Sequence, residues 1–270
     1  MIGKMLRNSV HAYWYDAVPN FGDLLNPLLL RYYGLTPIKE NRITANVFVI
    51  GSVLDEIHED FSGYIIGSGL MRDNPKTLNY AKILALRGRL TQERLHASRN
   101  IVLGDPGLLT PRIIRKREKK KFMLGLVPHY FDKNDIRIRK IKNHYPDDVL
   151  VIDVQQRPQT VISCIDQCAY VLSSSLHGLV TADSLGIPSG WINLSEKVEG
   201  KGFKFLDYAS AFNMDLNPKI IQGDERLSEL VKLTRRIDGI LEQVQSDLDA
   251  VFRKFSKVII EQQKISGIKS

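Results

Sequence analysis

Cysteine is scarce in this chain: Cys164 and Cys168 are the two among 270 residues. Four positions apart on one predicted helix, with no further cysteine or histidine at finger spacing, they make a poor zinc site and no disulfide framework. They read as buried thiols of a cytosolic protein. Long apolar runs are missing as well. No stretch reaches the roughly 18 uncharged apolar residues of a membrane span, and the opening MIGKMLRNSVHAYWY lacks the apolar centre of a secretory leader. The chain has no phosphate-loop lysine motif and no G-x-G-x-x-G between a strand and a helix with an acid downstream. It has no metal-ligating cluster and no repeat of 20–50 residues. Chemistry without metal or cofactor, carried out in the cytoplasm, is the expectation.

What is present describes an ordinary globular protein. Hydrophobic residues make up 43% and charged residues 25%, and a chain this long buries about three quarters of its unfolded surface, enough for one large or two modest domains. The net charge of +8 concentrates in Arg112–Lys121 (RIIRKREKKK) and Lys133–Lys142. No nucleic-acid motif accompanies it, so no nucleic-acid partner is expected. A solvated linker and helix face, an acidic substrate, or peripheral contact with the anionic inner face of a membrane each account for the charge.

Short apolar runs recur along the chain, at Val10–Tyr15, Asn46–Ile50, Tyr64–Ile66, Lys82–Leu86 and Ile101–Leu103. Each ends in glycine or a small polar residue, and helical spacing follows most of them, at Leu24–Tyr33 and Leu90–Ala97 for example. That rhythm signals a parallel α/β sheet. Arg112–Lys121 interrupts it, and it restarts at Phe122–Val127, Asn134–Asn143, Val149–Val154 and Arg157–Gln167. The spacing then predicts a strand at Tyr170–Leu172, a helix from Leu176 to Leu185, a strand at Trp191–Leu194 and a short helix at Phe203–Phe212. Asp224 to Gln263 reads as helical throughout, with Gly239 a possible break. Two Rossmann-like domains facing a cleft, 1–117 and 118–270 with C-terminal helices in the second, are expected.

In open parallel sheets ligands bind beyond the carboxyl ends of the strands. Asn20, Asp23, Ser52, Arg87, Asp105, His129 and Ser173-Ser174-Ser175-Leu176-His177-Gly178 fall there. His177 opens a helix, where free N–H groups favour an anion. It either fills a polar corner or donates a proton as imidazolium. The three serines are helix caps, hydroxyl donors to phosphate, or both. Arg87 leaves an apolar strand either for solvent or as a bidentate clamp on carboxylate or phosphate. Asp23 reads as a helix cap or as a carboxylate orienting or deprotonating a sugar hydroxyl. His129 repeats the strand-end placement of His177, and Asp105 before Pro106-Gly107 suits a turn.

Asn20-Phe-Gly-Asp23, Gly51-Ser52, Arg87-Gly88, Asp105-Pro106, Pro128-His129 and Ser173–Gly178 followed by Gly186-Ile-Pro188 occur in an order and spacing that resembles the polysaccharide pyruvyl transferases, in particular the bacterial exopolysaccharide ketal pyruvate transferases. The resemblance runs from about Tyr13 to Leu194. It implies an α/β fold similar to the GT-B glycosyltransferases and transfer of pyruvate from phosphoenolpyruvate onto two hydroxyls of a sugar in a polysaccharide or its lipid-linked precursor. By it, His177 is the general acid and a donor ligand, Leu176 offers backbone to phosphoenolpyruvate, Arg87 binds its anionic groups, and Asp23 lies near donor or acceptor. Ser173, Ser174, Ser175 and Gly178 line the donor site; Asn20, Ser52, Asp105 and His129 contact acceptor or phosphate. Many members carry arginine where this chain has Ser175, so another basic residue, such as Lys201, is expected to supply that charge. A nucleotide-sugar glycosyltransferase using Glu196 or Glu199, and a non-catalytic anion- or glycan-binding protein, are the competing readings.

Overall fold

The computed structural model describes residues 8–197 and 199–268. Residues 1–7 of the opening stretch lie outside them. The first sheet takes β1 (Ser9–Tyr13), β2 (Thr36–Lys39), β3 (Val47–Phe48), β4 (Tyr64–Ile66), β5 (Lys82–Leu86) and β6 (Val102–Leu103), in the order β2-β1-β3-β4-β5-β6. The second takes β7 (Phe122–Val127), β8 (Val149–Val151), β9 (Cys168–Ser173) and β10 (Ser189–Trp191), in the order β10-β9-β7-β8. Every pairing of neighbouring strands is parallel. The helices are α1 (Phe21–Tyr32), α2 (Arg89–Arg94), α3 (Thr110–Ile113), α4 (Ile136–His144), α5 (Pro158–Asp166), α6 (Leu176–Ser184), α7 (Phe203–Ser210), α8 (Leu227–Val231) and α9 (Leu241–Ile268). Two Rossmann-like α/β units facing a cleft are therefore what the sequence rhythm encodes, because parallel strands joined by helices need both faces covered.

Several boundaries differ from the sequence expectation. β2 carries Pro37 paired opposite Val10; it holds the sheet edge, the position where a strand tolerates a residue without an N–H. β10 begins two residues before the predicted strand. The stretch from Asp224 is not helical throughout. α8 ends at Val231, and the chain stays irregular until α9, with Gly239 at φ +73° just before it. Cys168 does not share a helix with Cys164; it opens β9, its thiol donating to the Cys164 carbonyl at 3.2 Å.

The basic run at Arg112–Lys121 is only partly solvated. Arg117 forks onto Asp166, Lys120 approaches the same carboxylate, and Arg112 faces Asp249. α9 carries Val244, Leu248, Phe252, Phe255 and Ile259 as a buried stripe at helical spacing. That stripe returns to the first sheet. Phe252 stacks on Tyr33 at 4.9 Å, Phe255 meets Tyr64 edge-on at 5.1 Å, and Ser256 donates to the Tyr33 carbonyl. Each such side chain contributes about 1.5–3 kcal/mol by leaving water. Among the described residues no helix is long and apolar enough to cross a membrane.

Candidate functional site

The carboxyl ends of both sheets open on a cleft of about 320 Å³. Tyr13, Tyr15, Asn20, Asp23, Gly51 and Ser52 line it from the first sheet, and His129, Tyr130, Phe131, Ser175, Leu176 and His177 from the second. Lys204 enters from α7, an element at which sequence reasoning placed no functional group.

Two helix starts meet at the floor. The hydrogen-bond ladder of α6 begins with Leu179 N–H to Ser175 O at 3.2 Å, so the N–H groups of Leu176, His177 and Gly178 are those a helix leaves unpaired in its own ladder. The first turn of α1 is fixed by Pro27. A proline at that position cannot donate to the carbonyl of Asp23, and Asn26 Nδ2 donates to it instead at 2.9 Å. Asn26 also exchanges hydrogen bonds with the backbone of Ile50, donating to its carbonyl at 3.0 Å and accepting from its N–H at 2.8 Å. The start of α1 is thereby locked to the loop Gly51-Ser52.

His177 lies between these starts and is buried. A Cβ at Gly22 would stand 2.1 Å from its Nδ1, so only glycine lets α1 come this close. On the other side Nε2 faces Asp105 Oδ2 at 3.7 Å, and neither buried atom has a hydrogen-bond partner. Burial, with Lys204 and Arg87 nearby, lowers the imidazole to about 3. In place of the expected imidazolium, burial favours the neutral form of His177 at pH 7. Asp105 lies behind the histidine rather than in the cleft. Its Oδ1 accepts from Gly107 N–H at 2.8 Å as the turn demands, and burial raises it to about 6.

Asp23 is the third residue of α1, not its cap. Asn20 Nδ2 donates to it at 2.7 Å, and burial nevertheless raises its carboxyl to about 7. Lys204 is 9% exposed, and burial followed by the Arg87 charge lowers it to about 8. Among the described residues it makes no salt bridge. Near neutral pH the cleft therefore holds a buried ammonium, a carboxyl that burial keeps able to carry a proton, and neutral imidazoles, since burial and Lys204 also lower His129 to about 4. Such an arrangement receives an anion and moves a proton.

Lys204 is placed by its neighbours. Gly202, at φ +85°, precedes α7, and a Cβ there would strike the Trp191 ring at 2.5 Å. Phe205 then stacks flat on Trp191 at 4.4 Å. The expected basic residue Lys201 is exposed; the cation inside is one helical turn's start away, behind Gly202.

Arg87 also needs correcting. Its side chain does not reach the cleft; it is fully buried and committed. Nε donates to Asp207 at 2.8 Å, Nη1 to Ser52 Oγ at 2.5 Å and Nη2 to the Leu70 carbonyl at 2.5 Å. Asp207 in turn accepts from Thr91 N–H and Oγ1, both at 2.7 Å, capping α2 from a distant element. Ser52 lines the cleft while holding Arg87. Ser173 Oγ donates to the Val127 and Ser175 carbonyls and Ser174 Oγ to Asp132, so both turn inward, while Ser175 and Leu176 face the cleft with His177. Gly178 serves packing: a Cβ there would sit 2.5 Å from Ser173 Oγ and 2.7 Å from Val127. Glu199 reaches the rim paired with Arg72, and Glu196 accepts from Asn193.

Among known proteins, a 161-residue segment is 32% identical to Uncharacterized protein L143 of Acanthamoeba polyphaga mimivirus, covering 56% of this chain and 55% of that protein. The chain thus spans about half the length of that relative. Succinoglycan biosynthesis protein ExoV of Rhizobium meliloti (strain 1021) is 26% identical over 238 residues, 83% of this chain and 71% of that one. Among solved structures, the wall teichoic acid polymerase TagF superposes with a TM-score of 0.51 at 12% identity, covering 97% of this chain and 90% of that one, a likeness of fold. Residues 20–196 match the sequence family described as polysaccharide pyruvyl transferase.

Proposed function

The chain belongs to the polysaccharide pyruvyl transferase family, and from that premise we propose that it moves pyruvate from phosphoenolpyruvate onto two hydroxyls of one sugar in a polysaccharide or its lipid-linked precursor, closing a ketal. The observation that carries the reading is the convergence of Lys204, Asp23 and His177 on the first turn of α6, all lining one cleft. A ligand bearing a carboxylate and a phosphate suits a buried ammonium beside open backbone donors.

Ketal formation takes one proton onto the methylene carbon of phosphoenolpyruvate and one onto the departing phosphate. Two protons leave the attacking hydroxyls, so the balance closes with hydrogen phosphate as product. Asp23, with a carboxyl at about 7, is the acid in range to protonate the methylene. An arriving anion would hold that proton more firmly still. The first sugar hydroxyl then attacks the cationic carbon, and neutral His177 accepts its proton while Asp105 behind it steadies the imidazolium that forms. Phosphate leaves with Lys204 offsetting its charge. The second hydroxyl attacks the resulting oxocarbenium centre and returns its proton to the Asp23 carboxylate, and the proton on His177 passes to phosphate, so both side chains end as they began. General acid–base steps of this type contribute 10²–10⁴-fold each.

Release of inorganic phosphate from phosphoenolpyruvate in the presence of bacterial lipid-linked oligosaccharide extract tests the reading. Wild-type protein is expected to release it, and His177→Ala is expected to fold and release none. Stabilisation by UDP- or GDP-sugars without any by phosphoenolpyruvate would replace the proposal with a glycosyltransferase.

A further inference from the structure

The mouth of the cleft carries aromatic rings that the chemistry above does not use. Tyr13 and Tyr15 stand at the carboxyl end of β1, and His129, Tyr130 and Phe131 at that of β7, so each sheet contributes a wall. The second wall is a run of mutually packed rings: His129 to Tyr130 at 4.3 Å, Tyr130 to Phe131 at 4.3 Å and His129 to Phe131 at 5.1 Å. Phe131 is nonetheless 50% exposed and Tyr15 37%. Large rings held outward beside a polar floor are costly to leave in water unless something covers them.

We propose that Tyr15, Tyr130 and Phe131 form the acceptor subsite and take one neutral hexopyranose, its C–H face on the rings and its hydroxyls toward Asn20 and Asp23. This rests on the pyruvyl-transfer reading and names the substrate class for it. A pyranose has the matching division: axial C–H groups make an apolar face, and its edge carries hydroxyls. A flat, electron-rich ring attracts polarised C–H groups as it does cations. The space agrees, since 320 Å³ is at the small end of ligand sites and suits a compact anion plus a single sugar unit. The charge balance of the lining favours a neutral sugar. Glu56 and Glu199 are already paired with Arg42 and Arg72, and Lys204, the one lysine or arginine among the described lining residues, is the cation that phosphoenolpyruvate takes. A uronic acid would bring a further carboxylate with no free cation there to meet it.

Saturation-transfer NMR with methyl hexopyranosides of gluco, galacto and manno configuration, and with methyl glucuronide as the charged control, tests this. At least one neutral glycoside is expected to be saturated at its ring C–H protons, and the glucuronide is not. Phe131→Ala and Tyr15→Leu are each expected to weaken that binding tenfold or more. Phe131→Trp keeps it, and phosphoenolpyruvate affinity by thermal titration stays within twofold in all three. Equal binding to wild type and ring-deleted variants, preference for the glucuronide, or no saturation while phosphoenolpyruvate binds would overturn the subsite. Glycoside binding that depends on the rings without any phosphoenolpyruvate binding would instead sink the pyruvyl-transfer reading and leave the platform standing.

Discussion

Replacing Asp23 by asparagine should stabilise the folded protein and silence it, with a pH signature that isolates the cause. Asp23 rises from 3.8 in the unfolded chain to about 7 in the fold, chiefly through burial. Because the folded value is the higher one, the group's contribution to stability is fully present below about 3.8 and is lost as pH rises through about 7. Above that, the folded state carries the whole burden of a buried carboxylate, at most about 4 kcal/mol for a displacement of this size. Asparagine keeps an oxygen for Asn20 Nδ2 and has no charge to desolvate. The variant's melting temperature should therefore exceed that of wild type by only about 3 °C at pH 5 and by up to about 8 °C at pH 8, at about 1.36 kcal/mol per pH unit between the two values and roughly 2 °C per kcal/mol for a chain this long. Thermal melts of both proteins from pH 5 to 9, paired with phosphate-release assays, make the comparison. A difference independent of pH, or a variant less stable at pH 8, would refute the assignment of Asp23 as a carboxyl held protonated by its surroundings.

Lys204→Met should raise the KM for phosphoenolpyruvate by about 10–100-fold, the range of a charge-assisted contact. It should also move the alkaline limb of the pH–rate profile upward, because Asp23 acts as an acid and the ammonium holds its carboxyl down; a rate assay across pH reads both. Arg87→Met leaves Asp207 buried without its partner and should cost about 3–5 kcal/mol in urea unfolding, whereas Arg87→Met with Asp207→Asn should recover part of that loss. Gly22→Ala forces a methyl onto His177 Nδ1; it should lower stability by about 1–3 kcal/mol and cut phosphate release more than tenfold while circular dichroism stays native.

The parallel rhythm was legible because each β-run ends in a residue that breaks it, and the strand-end residues Asn20, Asp23, Ser52, His129, Ser175, Leu176 and His177 do meet in one cleft. What the sequence hides is burial. An arginine at a strand end looks the same whether it meets solvent, substrate or, as with Arg87, a carboxylate 120 positions away. The neutrality of His177 likewise comes from neighbours distant in sequence. Lys204 escaped because α7 reads as an ordinary amphipathic turn; its signal was the pair Gly200 and Gly202, both at φ +85°. Two left-handed glycines frame a tight entry, and a cation just beyond such an entry is delivered to a fixed place. Pro37 concealed β2 for the opposite reason, since a breaker is harmless at an edge.

The route of the chain limits how this cleft can open. After β10 it crosses to set α7 against α2, returns so that Lys219 pairs with Ile192 and Arg235 with Ser189, then crosses again as α9. Gln245 stitches that last pass to the first, its Nε2 donating to the carbonyls of Leu108 at 2.9 Å and Ser184 at 3.1 Å. A book bound along one edge can gape; one laced through both covers cannot. Substrates must enter by movement of the rim side chains, so small-angle scattering should show the same radius of gyration with and without phosphoenolpyruvate.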